Sequence, residues 1–261
     1  MPIIDVKGTR LHFRFDGPAD GPVIMLSNAL HANLAMWDLQ APALVEAGFR
    51  ILRYDSRGHG MSAAPLGPYS IELLMDDAVA LMDALALRTV HFCGLSMGGM
   101  VGQMLAVRHG ERLRSLILCA TAAYMPPREL WDQRIATVRN DGMMAVVDAA
   151  IDRWFTKAGQ ERLEADIHNI RDAILATPAE GFCACCAAIR DMDQRESIHA
   201  INIPTLIIVG ELDMGTPIEA SRLLHERIAH SKLIIFPDAQ HFVNVEQASM
   251  FNDVLLGFLK S

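Results

Sequence analysis

The chain has no run of about 18 uncharged apolar residues, so nothing in it reads as a membrane-spanning helix. Its start, "MPIIDVKGTRLHF", lacks the basic stretch and the apolar stretch of a secretory signal. Positive charge is short as well: 23 Lys and Arg stand against 31 Asp and Glu, a net charge of −8. Such a surface repels nucleic acid, and an anionic small molecule would need a local cation to be held. The expectation is a soluble, cytoplasmic protein with no nucleic-acid or membrane partner. Oligomeric state has no signature here. Repeats and low-complexity segments are absent too, which excludes solenoids and disordered tails. What remains is a chain of 261 residues, 51% hydrophobic, suited to one large domain or one domain carrying an insertion.

Cysteine is scarce. Five cysteines without a signal sequence read as reduced thiols. Cys183 and Cys186 in "GFCACCAAIR" have C-x-x-C spacing, but a structural zinc site needs about four ligands and no second pair follows. Packing as small hydrophobes is the better reading, and no metal is expected.

Strand-like runs occur at 3–6, 10–15, 22–27, 50–55, 89–94, 114–120, 204–210 and 232–237, with Lys7-Gly8 as a hairpin turn between the first two. The later runs are continuously apolar, as parallel strands buried on both faces require. Helix-period segments lie between them. One starts after Ser70, a good N-cap, with Leu74, Ala78, Leu81 and Leu85 on one face. Another ends at Gly110, a good C-cap residue. Alternating strand and helix give an α/β class with a mostly parallel, eight-stranded sheet. Residues 123–201 break the rhythm: they read as helix throughout and are far too long for an ordinary crossover. The organisation expected is a core in two parts, 1–122 and 202–261, with a helical cap, 123–201, inserted after the sixth strand. Ligands of open α/β sheets bind at the carboxyl ends of the strands, where such an insertion can roof them.

The stretch "HFCGLSMGGMVGQ" places Gly94-Leu95-Ser96-Met97-Gly98 where a strand becomes a helix. G-x-S-x-G in that context is the nucleophile elbow: a sharp turn lifts the serine hydroxyl clear, and flanking side chains would collide with strand and helix. Serine is a weak nucleophile and needs a base oriented by an acid. In this topology the acid and then the base follow at the ends of later strands. Asp213 in "GELDMGTP" and His241 in "PDAQHFVNVEQ" fit in type and order, with Glu211 a nearby rival for the acid and Asp238 a weaker one. Two backbone amides would stabilise the oxyanion: Met97, after the serine, and Ala29 in "LSNALHAN", with Asn28 and Leu30 as its neighbours in alignment.

These residues resemble the α/β-hydrolase family, and within it the 3-oxoadipate enol-lactonases, over nearly the whole chain. The stretches that carry the resemblance are "LSNAL" with "MWDLQ", "LRYDSRGHGMSAAPLGPYSIE", "HFCGLSMGGMVGQ", "WDQRIATVR", "RWFT", "TPAEGF" with "CCAAIRDMD", and "NVEQ". It implies the α/β-hydrolase fold, hydrolysis of an enol-lactone in aromatic catabolism, a Ser-Asp-His triad and no cofactor. The partner implied is a small lactone or ester. Two loops depart from the pattern: His31 stands where such enzymes tend to have glycine, and "CATAAYMPP" where they tend to read "NTAA". An anionic lactone needs a cation at its pocket, for which Arg134 in the insertion is the first candidate and Arg190 the second. Trp131 and Trp154 are further candidates for the pocket wall, although packing within the insertion is the plainer reading of both. His59 reads as a turn residue, and Tyr69 as an entrance or surface residue. A broader carboxylesterase or acyl-homoserine lactonase is the rival enzyme, and a ligand-binding receptor on a hydrolase scaffold the rival of another class.

Overall fold

The computed structural model describes residues 2–261. Eight strands form one sheet: β1 (Ile3–Val6), β2 (Thr9–Asp16), β3 (Val23–Ser27), β4 (Arg50–Tyr54), β5 (Val90–Leu95), β6 (Leu113–Cys119), β7 (Thr205–Gly210) and β8 (Ser231–Phe236). Their order is β1-β2-β4-β3-β5-β6-β7-β8, antiparallel only where β1 meets β2 and β2 meets β4. Lys7 and Gly8 both have positive φ, the tight hairpin turn read from the sequence. The strand runs land within one residue of their expected limits. Central strands β5, β6 and β7 are almost wholly buried because helices cover both faces, which is why their sequences do not alternate.

The helices are α1 (Ala41–Glu46), α2 (Ile71–Ala84), α3 (Met97–His109), α4 (Arg128–Asp141), α5 (Met144–Trp154), α6 (Lys157–Arg162), α7 (Glu164–Ala176), α8 (Ala179–Asp191), α9 (Ile218–Arg227), α10 (Val243–Glu246) and α11 (Ala248–Leu259). Ser70 caps α2 through its hydroxyl, which accepts the Leu73 amide at 3.0 Å. The end of α3 differs from expectation. Gly110 keeps right-handed helical angles and leads into a 3₁₀ turn, Gly110–Arg112, so its left-handed freedom goes unused.

Five helices, α4 to α8, fill the interval between β6 and β7. Their two ends meet at the base, where Tyr124 bridges Asp193 and the Gln194 amide donates to the Ala123 carbonyl at 2.8 Å. All five cysteines are buried; Cys183, Cys185 and Cys186 lie along α8 and pack into the core. No single described helix is long and apolar enough to cross a membrane.

Candidate active site

Ser96 sits between β5 and α3 with φ 55° and ψ −115°, a conformation that costs a non-glycine residue about 1–3 kcal/mol. The neighbours hold it there. Its amide donates to the Cys119 carbonyl at 2.9 Å, and its own carbonyl accepts the Thr121 hydroxyl at 2.8 Å. The flanking glycines are required by close approach. A Cβ on Gly94 would stand 2.2 Å from the Gly98 carbonyl oxygen, and one on Gly98 would stand 2.2 Å from that of Ser27, at the end of β3. Ser96 therefore ends the strand on the helix N-terminus, where backbone N–H groups and the helix dipole favour negative charge.

The loops after β7 and β8 bring Asp213 to His241. Nδ1 of His241 donates to Oδ2 of Asp213 at 2.8 Å, which fixes the ring and leaves Nε2 free of that pairing. The carboxylate is buried, and burial alone would raise its pKa. The charge and hydrogen bond of His241, with the Thr216 amide at 2.9 Å and hydroxyl at 2.7 Å, outweigh burial and hold it below the usual carboxylate value. The Gly215 amide adds a fourth donor at 2.7 Å. Glu211 is exposed and only touches the Asp238 amide, at 3.4 Å; neither rival acid is paired with the histidine.

Ser96 and His241 line one cavity of about 460 Å³. The inserted helices supply its far wall through Trp131, Arg134, Arg153, Trp154 and Ile189, while Met214, 80% exposed, and Leu130 stand among its outer residues. Both departing loops reach it: His31 from one, Met125 and Pro126 from the other. Among the described residues, none that lines it is acidic. The Arg134 guanidinium lies 4.6 Å from the centre of the Trp131 ring, and the Trp131 indole donates to the Met125 carbonyl at 2.9 Å. Burial lowers the pKa of Arg134, and burial together with the Arg134 charge pushes Arg153 down to about 10. Neither arginine has an ion-pair or hydrogen-bond partner among the described residues.

A family model described as serine aminopeptidase, S33, matches residues 22–248. The chain belongs to the α/β-hydrolase family. It is 36% identical to 3-oxoadipate enol-lactonase 2 of Acinetobacter baylyi, over all of this chain and 99% of that one. A putative carbamate hydrolase of Variovorax paradoxus is 33% identical, over 95% and 96% of the two chains. Among solved structures, the enol-lactonase of Burkholderia xenovorans superposes over the full length of both chains, with a TM-score of 0.97 and 42% identity.

The hydrolase departs from the sequence reading at several positions. Arg190 does not reach the Ser96 cavity: it is tied to Asp132 and Asp191 on the outside of α8, beside a different cavity. Tyr69 is buried, donates to the Pro65 carbonyl and takes no part in the wall. Trp131 and Trp154 combine both readings, since each is buried and each lines the cavity. The Ala29 amide donates to the Met36 sulfur at 3.4 Å, and it is Leu30 that lines the cavity. A thioether is a weak acceptor, so that amide is lightly held. His59 is a loop brace, as expected: its Nε2 accepts the His31 amide at 3.1 Å, and its Nδ1 donates to the Arg57 carbonyl at 3.2 Å. Arg153 was not foreseen. The signal was available, because Arg153 falls three residues after Ala150 and seven after Val146, on the buried side of α5.

Proposed function

We propose that this α/β-hydrolase opens a lactone bearing a free carboxylate, with 3-oxoadipate enol-lactone as substrate, in aromatic catabolism. The observation that carries the reading is the cavity itself. In a protein of net charge −8, the space that holds Ser96 and His241 presents Arg134 and Arg153 without acidic partners. Two half-buried guanidinium groups are costly to leave unpaired, and a substrate carboxylate supplies the missing charge.

The reaction follows from the parts. His241 Nε2 takes the Ser96 proton as the hydroxyl oxygen attacks the lactone carbonyl, while Asp213 keeps the ring oriented and balances the imidazolium. The Met97 amide and a second amide from the Ala29–Leu30 loop stabilise the tetrahedral oxyanion. Collapse breaks the ring C–O bond as the His241 imidazolium gives its proton to the departing oxygen, and the enol so formed becomes the ketone by moving that proton to carbon. Water then gives a proton to His241 and attacks the acyl-enzyme, and Ser96 regains its proton. No redox step is involved, and Arg134 with Arg153 anchors the carboxylate. The inserted helices, residues 123–201, act as the cap that shapes this pocket.

The test is a comparison of kcat/KM for 3-oxoadipate enol-lactone, its methyl ester, p-nitrophenyl esters and a long-chain acyl-homoserine lactone. The free acid should be the preferred substrate. A charged hydrogen bond is worth about 1.5–3 kcal/mol, so Arg134→Met should cost roughly 10–150-fold on the free acid and much less on its methyl ester. Preference for the neutral, long-chain lactone would overturn the choice of substrate while leaving the serine chemistry in place.

A further inference from the structure

His31 carries an unpaired imidazole and lines both the Ser96 cavity and a second cavity of about 320 Å³. Its side chain is buried, the residue being 4% exposed, yet neither Nδ1 nor Nε2 has a partner among the described residues. Buried polar atoms are nearly always hydrogen-bonded, so an orphan beside a cavity asks for a ligand. The ring is firmly placed. It stacks on Phe182 with centroids 4.2 Å apart and meets the Trp154 ring at 5.7 Å. Its backbone is held at φ 72°, a left-handed conformation that suits glycine, by the His59 ring nitrogen on its amide and by the Thr177 hydroxyl on its carbonyl at 3.3 Å. Strain kept at a cavity wall, with two neighbours holding the backbone and two aromatic rings holding the imidazole, marks a position maintained for what its side chain does there.

We propose that His31 is a specificity residue whose imidazole donates a hydrogen bond to the substrate carboxylate, beside the guanidinium groups of Arg134 and Arg153. This deepens the reading given under Proposed function and rests on it. Burial first, then the nearby charges of His59, Arg134 and Arg153, hold the His31 pKa well below its ordinary value. A neutral ring carries one N–H to donate and leaves one nitrogen free to accept. It therefore adds direction to an anion site without adding a third buried charge to the two arginines. Because the donor is left unpaired when a substrate lacks the group, such a contact discriminates by rejection as well as by attraction.

The experiment compares wild type, His31→Phe and His31→Asn, with melting temperatures taken to confirm folding. Phenylalanine keeps the stack and removes the polarity; asparagine tolerates positive φ and keeps an N–H. The measured quantity is the ratio of kcat/KM for the enol-lactone as free acid to that for its methyl ester. His31→Phe should lower this ratio about tenfold or more, and His31→Asn should restore part of it. In parallel, adipate is titrated into Ser96→Ala protein labelled with ¹⁵N-histidine, the His31 signals being assigned by their loss in the Ser96→Ala, His31→Asn double variant. Those ring signals should move as adipate saturates, at the concentration where it inhibits the wild type. A wild-type preference for the free acid that both variants retain unchanged would overturn the role of His31 alone. If wild type prefers the methyl ester, the substrate reading fails, and the adipate titration still decides for or against His31. Adipate that inhibits while His31 stays unmoved overturns the proposal, and adipate that neither inhibits nor shifts His31 overturns both.

Discussion

Glu246 ties the inserted helices to the loop of His241: one carboxylate oxygen accepts the Thr156 amide at 2.8 Å, and the other accepts the Gln240 amide at 2.7 Å. The residue is 1% exposed, and the first oxygen also takes the Thr156 hydroxyl at 2.5 Å. Thr156 begins the turn between α5, which carries Arg153 and Trp154, and α6. Gln240 immediately precedes His241. One buried side chain therefore sets the end of α5 and the His241 loop relative to each other.

Glu246→Ala strands two half-buried amides and removes bonds to a charged acceptor. A loss of about 2–4 kcal/mol in unfolding free energy is expected by urea titration. Turnover should fall with it as His241 loses its fixed position. A variant as stable and active as wild type would show that Glu246 is not the tie.

Glycine replacements separate close approach from simple conformational freedom. Gly98→Ala puts a methyl group 2.2 Å from the Ser27 carbonyl oxygen, so the elbow must move. A destabilisation of about 1–3 kcal/mol, with loss of activity, is expected. Gly257→Ala lies at an exposed position of α11 with nothing within 4 Å of the added carbon. It should stabilise by about 0.5–1 kcal/mol, and thermal melts of the two variants check both signs.

Asp213→Asn should slow turnover by roughly 10²–10⁴-fold, since the amide favours the wrong histidine tautomer. Glu211→Gln should change little, because Glu211 reaches only the exposed Asp238 amide. Steady-state rates of the two variants decide between them. The reverse order of damage would reassign the acid.

Acid stability gives an independent measure of the same carboxylate. The folded pKa of Asp213 is depressed, so its ionised form stabilises the fold above the ordinary carboxylate value of about 3.9. That contribution is lost as pH falls through the lower folded value. The gap in melting temperature between wild type and Asp213→Asn should therefore be constant near neutrality and narrow below about pH 4. A gap that widens on acidification would contradict the depressed value.

The parts of the site legible in the sequence are those whose residue types have few other uses. Ser96 between Gly94 and Gly98 could be read because each glycine answers a backbone collision. Asp213 and His241 could be read because chain order and strand ends restrict them. The apolar runs of β5 to β7 announced buried parallel strands for the same kind of reason. Charged residues on helices were harder. Arg134, Arg153 and Arg190 all belong to helices with mixed faces, and only packing shows that two turn inward while Arg190 finds Asp132 and Asp191 outside. Backbone donors leave no side-chain mark, which is why the choice between Ala29 and Leu30 rested on alignment alone. His31 was visible as a departure, but its stack on Phe182, 151 positions further along the chain, was not.

The most direct test of the central claim is labelling with a fluorophosphonate, read by intact mass and by peptide mapping. Wild-type protein should take up one adduct, on the peptide containing Ser96, and lose its esterase activity in proportion. Ser96→Ala, folded by its melting curve, should take up none, and its turnover should fall on the order of 10³-fold or more. An adduct that persists in Ser96→Ala, or a wild-type adduct on another serine, would contradict the assignment of Ser96 as the nucleophile.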